Sequence, residues 1–169
     1  MKTVSEIRIE LLQLQRKYST ASLDGQPLIE AKVIELANAI EKENRDNRKT
    51  QEILSNNALI AEFMGMPESN NGLFSNVSKT YRPSELKYHE SWDWLMPVVE
   101  KIESVIPDDS VVTIANNDCT IPFLADEFDI EITGTSKIDA VYKAVVLAIK
   151  WYNTYPVPAT KSIANKQTK

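Results

Sequence analysis

Val4, Ile7, Leu11, Leu14 and Tyr18 recur at alternating spacings of three and four. That rhythm places them on one narrow stripe of a helix, as in a coiled-coil seam. Asp24-Gly25 followed by Pro27 predicts a turn into a second helix. There Ile29, Val33, Leu36 and Ile40 repeat the seam, with Ala37 beside it. The two helices form a hairpin appendage over residues 1–50. A narrow seam does not hold a lone helix together, so it must be buried against its neighbour, a second copy or the rest of the chain. Residues 41–52 (EKENRDNRKTQE) are almost wholly polar and read as a solvated helix end or a hinge. Asn56 or Asn57 is expected to cap a short helix, Ala58 to Met64, stopped by Gly65 and Pro67. The stretch 66–87, rich in Ser, Asn, Pro and Gly, reads as a long functional or mobile loop.

Ser91 opens the next predicted helix, with Trp92, Leu95, Val99, Ile102 and Ile106 on one face and Met96 and Val98 beside it. Pro97 is expected to bend it, and Pro107-Asp108-Asp109 to end it. The period then changes to two. Val111–Ala115 and Cys119–Phe123 read as strands joined by a tight turn at Asn116-Asn117. Pro122 limits the second of these to an edge or a bulge. Phe128, Ile130 and Ile132 alternate with Asp129, Glu131 and Thr133, which predicts a strand with one wet, acidic face closed by Gly134. Ser136 and Asp139 then form a capping box for a helix bearing Ile138, Val141, Tyr142, Val145, Ile149 and Tyr152. The fold class is α+β: the hairpin, then an α-α-β-β-β-α domain over 56–155 with a mostly antiparallel three-stranded sheet packed by helices, and a disordered tail over 156–169.

Charge sharpens this division. Residues 1–50 carry nine Lys/Arg against eight Asp/Glu, residues 100–131 carry nine acids against Lys101 alone, and 156–169 carry three lysines and no acid. An acidic domain repels phosphates, so nucleic acid is an unfavoured partner. The single cysteine, Cys119, permits no disulfide within the chain and fits a reducing compartment. No signal-peptide pattern or membrane-length apolar run is present, so the expectation is a cytoplasmic protein with no membrane association.

Three stretches carry a resemblance. They are Leu59-Ile60-Ala61-Glu62-Phe63-Met64-Gly65, then Tyr88-His89-Glu90-Ser91-Trp92-Asp93-Trp94-Leu95-Met96-Pro97-Val98-Val99-Glu100-Lys101-Ile102, then Ser136 to Tyr142 running to Trp151-Tyr152-Asn153. Together they resemble a group of uncharacterised proteins of Bacteroidetes and their phages, and more distantly the phage ABA-sandwich domain family. The resemblance covers about 57–154 and leaves out the hairpin. Met66 stands where that family usually has a tryptophan. It implies a fold and a phage or prophage origin, which would put the protein in the host cytoplasm, and it supplies no catalytic residues and no cofactor.

Candidate chemistry is sparse. His89, Ser91, Asp93 and Cys119 could be imagined as a nucleophile–base–acid set, but no nucleophile elbow accompanies them, and one His with one Cys does not make a zinc site. Asp126, Glu127, Asp129 and Glu131 lack the ligand ladder of a calcium loop and read as a solvated strand face. Trp92 and Tyr152 fall on apolar stripes and are expected in the core, whereas Trp94 and Trp151 lie off them and are candidates for an interface or a pocket. Lys79, Arg82 and Lys87 lie within nine residues and could converge on a phosphate of a small ligand; His89 is a further candidate contact, and otherwise caps or packs the Trp92 helix. Val4, Ile7, Leu11, Leu14, Ile29, Val33, Leu36 and Ile40 are candidates for an oligomer interface. The leading expectation is a non-enzymatic phage or prophage protein that self-associates through its N-terminal helices and engages a host or phage protein. The alternative is a protein that binds or sequesters a nucleotide signal, with a hydrolase ranked last.

Overall fold

Thr3 begins the first helix with a reciprocal cap. Its Oγ1 accepts the Glu6 amide at 3.3 Å, and the Glu6 carboxylate accepts the Thr3 amide at 2.7 Å. The structure, a computed structural model, describes residues 3–20, 26–105, 111–123 and 128–154. It divides into two units, Met1–Glu52 and Ile53–Lys169. Several expectations concern segments outside the described residues: the Asp24-Gly25 turn, Ile106 and the Pro107-Asp108-Asp109 stop, Asp126 and Glu127, and the tail over 156–169.

In the first unit α1 spans Val4–Tyr18 and α2 begins at Gln26. The Tyr18 hydroxyl donates to the Glu30 carboxylate at 2.7 Å. Gln15 shares a cleft with Val33 and Ile34, so residues later in α1 meet residues earlier in α2 and the helices run antiparallel. Ile7 and Leu36 are buried; Val4, Leu11, Leu14, Ile29, Val33 and Ile40 are half-buried. The polar stretch 41–52 is not a helix end, because α2 continues to Phe63. No Gly or Pro interrupts it after Pro27, and its Glu, Lys, Arg and Gln are strong helix formers. Asn56 and Asn57 are accordingly interior helix residues, not caps.

The second unit starts from the last turns of α2. Gly65, at φ +80°, ends that helix in the left-handed region. The Met66 amide bonds the Ala61 carbonyl and the Gly65 amide bonds the Glu62 carbonyl, both at 2.9 Å. This is a Schellman motif, and both of its flanking side chains, Ala61 and Met66, are buried. The chain between α2 and α3 (Trp92–Val105) is more ordered than a loop. It holds a two-stranded antiparallel ribbon of β1 (Phe74–Ser75) and β2 (Thr80–Tyr81), then a short 3₁₀ turn over Pro83–Glu85. Four of its side chains, Met66, Phe74, Leu86 and Tyr88, enter the core. These scattered apolar residues follow no period, which is why the stretch looked unstructured.

A three-stranded antiparallel sheet follows, ordered β3 (Thr113–Ala115), β4 (Asp118–Phe123) and β5 (Phe128–Thr133). Asn116, at φ 52°, makes the two-residue turn between paired Ala115 and Asp118. Pro122 lies in the central strand, but past the last residue that pairs with β3. On that side its missing N–H costs no ladder bond. Ile121, Ile130 and Cys119 face inward and are buried; Thr113, Asp118, Asp129 and Glu131 are exposed on the opposite face. The helix α4 (Lys137–Thr154) covers the inner face, contacting all three strands and α3. Its Asp139 amide bonds Ser136 Oγ at 3.3 Å, and its Asp139 carboxylate turns back to the Thr135 amide at 2.7 Å. Ala140, Ala144 and Ala148 are buried along with Val141, Tyr142, Val145, Val146 and Ile149. The apolar surface of α4 is therefore wider than the expected stripe, and its alanines let neighbouring elements approach closely.

Candidate functional site

The aromatic expectations are partly reversed. Trp92, expected in the core, is 37% exposed. It is the first residue of α3. Trp94, off the stripe, is half-buried and packs against the core. The Tyr81 and Tyr88 rings both meet its ring edge-on, with centroids 5.1 and 5.2 Å away. Each such pair contributes about 0.5–1.5 kcal/mol beyond burial. The partners come from the segment before α3, so helical periodicity could not reveal them. Trp151 is half-buried against the core, and Tyr152 is half-buried with its ring edge-on to Phe63 at 6.1 Å.

The basic residues have separate local partners. Lys79 Nζ lies over the Tyr81 ring, 4.9 Å from its centroid. Lys87 pairs with Glu90 at 3.4 Å. Arg82 is exposed, and its backbone amide donates to Glu85 at 2.7 Å. Among the described residues, the three have different partners.

His89 belongs to a buried polar node that the sequence reading missed. Asn57, 1% exposed, donates both amide protons: one to the Leu86 carbonyl at 2.7 Å, the other to His89 Nδ1 at 3.1 Å. The network therefore assigns the lone pair to Nδ1 and, in neutral His89, the proton to Nε2. The ring offers its outer nitrogen as a donor toward Glu90, 3.9 Å away, and not as a base. Asn57 Oδ1 has no partner. An orphaned buried acceptor costs about 1–3 kcal/mol, which the two donated bonds offset. The Tyr142 ring is also edge-on to His89 at 6.1 Å, and its hydroxyl donates to the Ile53 carbonyl at 3.4 Å. The node thus ties α2 and α4 to the segment before α3. Its signal in the sequence was a pair of asparagines among helix formers, where an unsatisfied amide needs a reason.

Cys119 is buried in β4, and burial pushes its thiol up to about 11. A thiol held protonated at neutral pH is a poor nucleophile. With His89 presenting N–H, these features oppose a cysteine–histidine mechanism. Among the described residues no group of three or more His, Cys, Asp or Glu is placed to hold a metal, and no helix is long and apolar enough to cross a membrane.

The first unit offers a different kind of surface. An open cleft of about 340 Å³ lies between its helices, lined by Gln15, Tyr18, Glu30, Val33 and Ile34. Large apolar side chains of this unit also stand in water: Ile9 is 57% exposed, Leu12 60%, Leu28 80% and Ile34, on the cleft, 61%. The seam residues locate the inner face of the hairpin, but Ile9 and Leu12 sit on the opposite side of α1, which the expected seam did not include. No protein family, curated protein or solved structure matches the chain.

Proposed function

We propose that this chain is a non-enzymatic interaction protein that associates with a second copy of itself through α1 and the first part of α2. One observation carries the reading. In the first unit only Ile7 and Leu36 are buried among the described large apolar residues, while the rest of both seams is half-exposed and Ile9, Leu12, Leu28 and Ile34 are exposed. Two antiparallel helices with so little buried between them gain too little to offset the entropy of ordering them. A second hairpin laid against the first completes a four-helix arrangement and covers part of this apolar surface. The near balance of charge over residues 1–50, nine bases and eight acids, suits self-pairing, since like surfaces then do not repel.

The resemblance supports a phage or prophage origin and a place in the host cytoplasm. On this reading the assembled hairpins display the acidic α+β units to a host or phage protein. The test replaces outward-facing residues, leaving the buried pair intact. An Ile9→Glu/Leu12→Glu/Ile34→Glu variant is expected to sediment as a monomer while keeping the near-ultraviolet circular dichroism of the Trp94 cluster. An unchanged native mass removes the hairpin as the interface.

A further inference from the structure

We propose that Asn71 is a site of spontaneous deamidation and isoaspartate formation, by which the β1–β2 ribbon is altered as the protein ages. Asn71-Gly72 is the only Asn-Gly pair in the sequence. The reaction needs the backbone nitrogen of the following residue to reach the side-chain carbonyl carbon. A glycine, with no Cβ, gives that approach the least obstruction. Asn71 is exposed, and Gly72 stands at φ +69° in a tight turn. Asn38, Asn44, Asn47, Asn56 and Asn57 lie inside α2, where the next residue carries a side chain and a helical amide. Asn70, Asn76, Asn116 and Asn117 are each followed by a residue with a Cβ.

In the reaction the Gly72 nitrogen bonds to Asn71 Cγ, the side-chain nitrogen leaves as ammonia with the proton from Gly72, and a five-membered succinimide remains. Water adds across one of the two ring carbonyls. Opening on the one side gives aspartate; opening on the other routes the main chain through the former side chain and lengthens it by one carbon. The restraint on the nucleophile is one exposed turn bond, Gly72 N–H to the Ser69 carbonyl at 2.9 Å. Such a bond slows the attack by no more than about tenfold.

The consequence reaches beyond the turn. The Ser69 amide bonds the Leu73 carbonyl at 2.8 Å, the Leu73 amide bonds Ser69 Oγ at 3.2 Å, and Glu68 bridges Phe74. An extra main-chain carbon between Ser69 and Leu73 breaks this closure. Phe74, 1% exposed, sits immediately after it and pairs with Tyr81, the partner of Trp94.

The test is incubation of the full chain in mildly alkaline buffer, folded or unfolded in urea, followed by peptide mapping. The expected result is conversion at Asn71 to a mixture of aspartate and isoaspartate, at a folded rate within about tenfold of the unfolded one, with Asn70 and Asn76 still amides. Asn71→Gln, exposed and with a slower-closing ring, is expected to stay unmodified over the same period. A folded chain that keeps Asn71 intact while the unfolded chain converts fully overturns the proposal. So does equal conversion at Asn70 or Asn76.

Discussion

Tyr88 is 3% exposed, and its hydroxyl donates to the weak acceptor Met66 Sδ, 3.5 Å away. Burial pushes its hydroxyl up to about 12, with the nearby Tyr81 adding to the rise. The folded state therefore holds the Tyr88 proton after an unfolded tyrosine, near 10, has lost it. Stability that is fully present below pH 10 is lost as pH rises toward 12, on the order of 2 kcal/mol. Cys119 contributes in the same direction from about pH 9. Urea titrations across this range should show a steep alkaline fall that becomes shallower in Tyr88→Phe; an identical slope would mean that Tyr88 ionises freely in the folded protein. Asp139 works at the other end. Partial burial opposes its ionisation, but hydrogen bonds from Lys143 and Thr135 outweigh that and hold its carboxyl below the usual range. Its contribution is lost only as pH falls below about 4. At this scale the sequence located the cap at Ser136 and Asp139 and the positive φ at Asn116, because each is a local matter of one side chain and its own backbone. It could not locate Asn57, whose partners Leu86 and His89 lie 29 and 32 residues away.

Elements were legible wherever periodicity ran long enough. The paired helices, α3, α4 and the three-stranded sheet with its turn all follow from spacing and turn residues. Two differences share one cause, which is that a polar stretch carries no periodic apolar signal. The stretch 41–52 is helical because nothing in it breaks a helix, and 66–87 holds a β-ribbon because four core side chains anchor it. The sheet and α4 meet at Gly134. A Cβ there would lie 2.8 Å from the Ala140 Cα and closer still to its amide. The obstacle is backbone, which cannot rotate away. Gly134→Ala is expected to destabilise the second unit by about 1–3 kcal/mol, measured by urea unfolding followed at the tryptophans. Gly65→Ala provides the contrast, since its site is open and its cost comes from φ +80° alone. A Gly134→Ala protein as stable as the parent would mean that β5 and α4 are farther apart than described.

Across the whole chain, two units divide the physical tasks. The second has a continuous core around α4, an aromatic cluster and a buried polar node. The first has two buried side chains among its described apolar residues and a surface dotted with large ones. That contrast underlies the reading of the hairpin as an association surface, and it explains why the sequence named the seam but not the outer residues Ile9, Leu12 and Ile34. A seam is a periodic pattern; an exposed apolar residue beside it is recognised only after the inner face has been fixed. The candidate contacts Lys79, Arg82 and Lys87 were grouped by closeness in sequence; in the structure Lys79 lies over the Tyr81 ring and Lys87 pairs with Glu90. The most direct test of the account is the mass of the unmodified protein in solution, by sedimentation equilibrium over a wide concentration range. Self-association through the hairpin gives a mass that is an integral multiple of the 19.1 kDa chain and falls toward one chain on dilution. A mass of one chain at every concentration contradicts it.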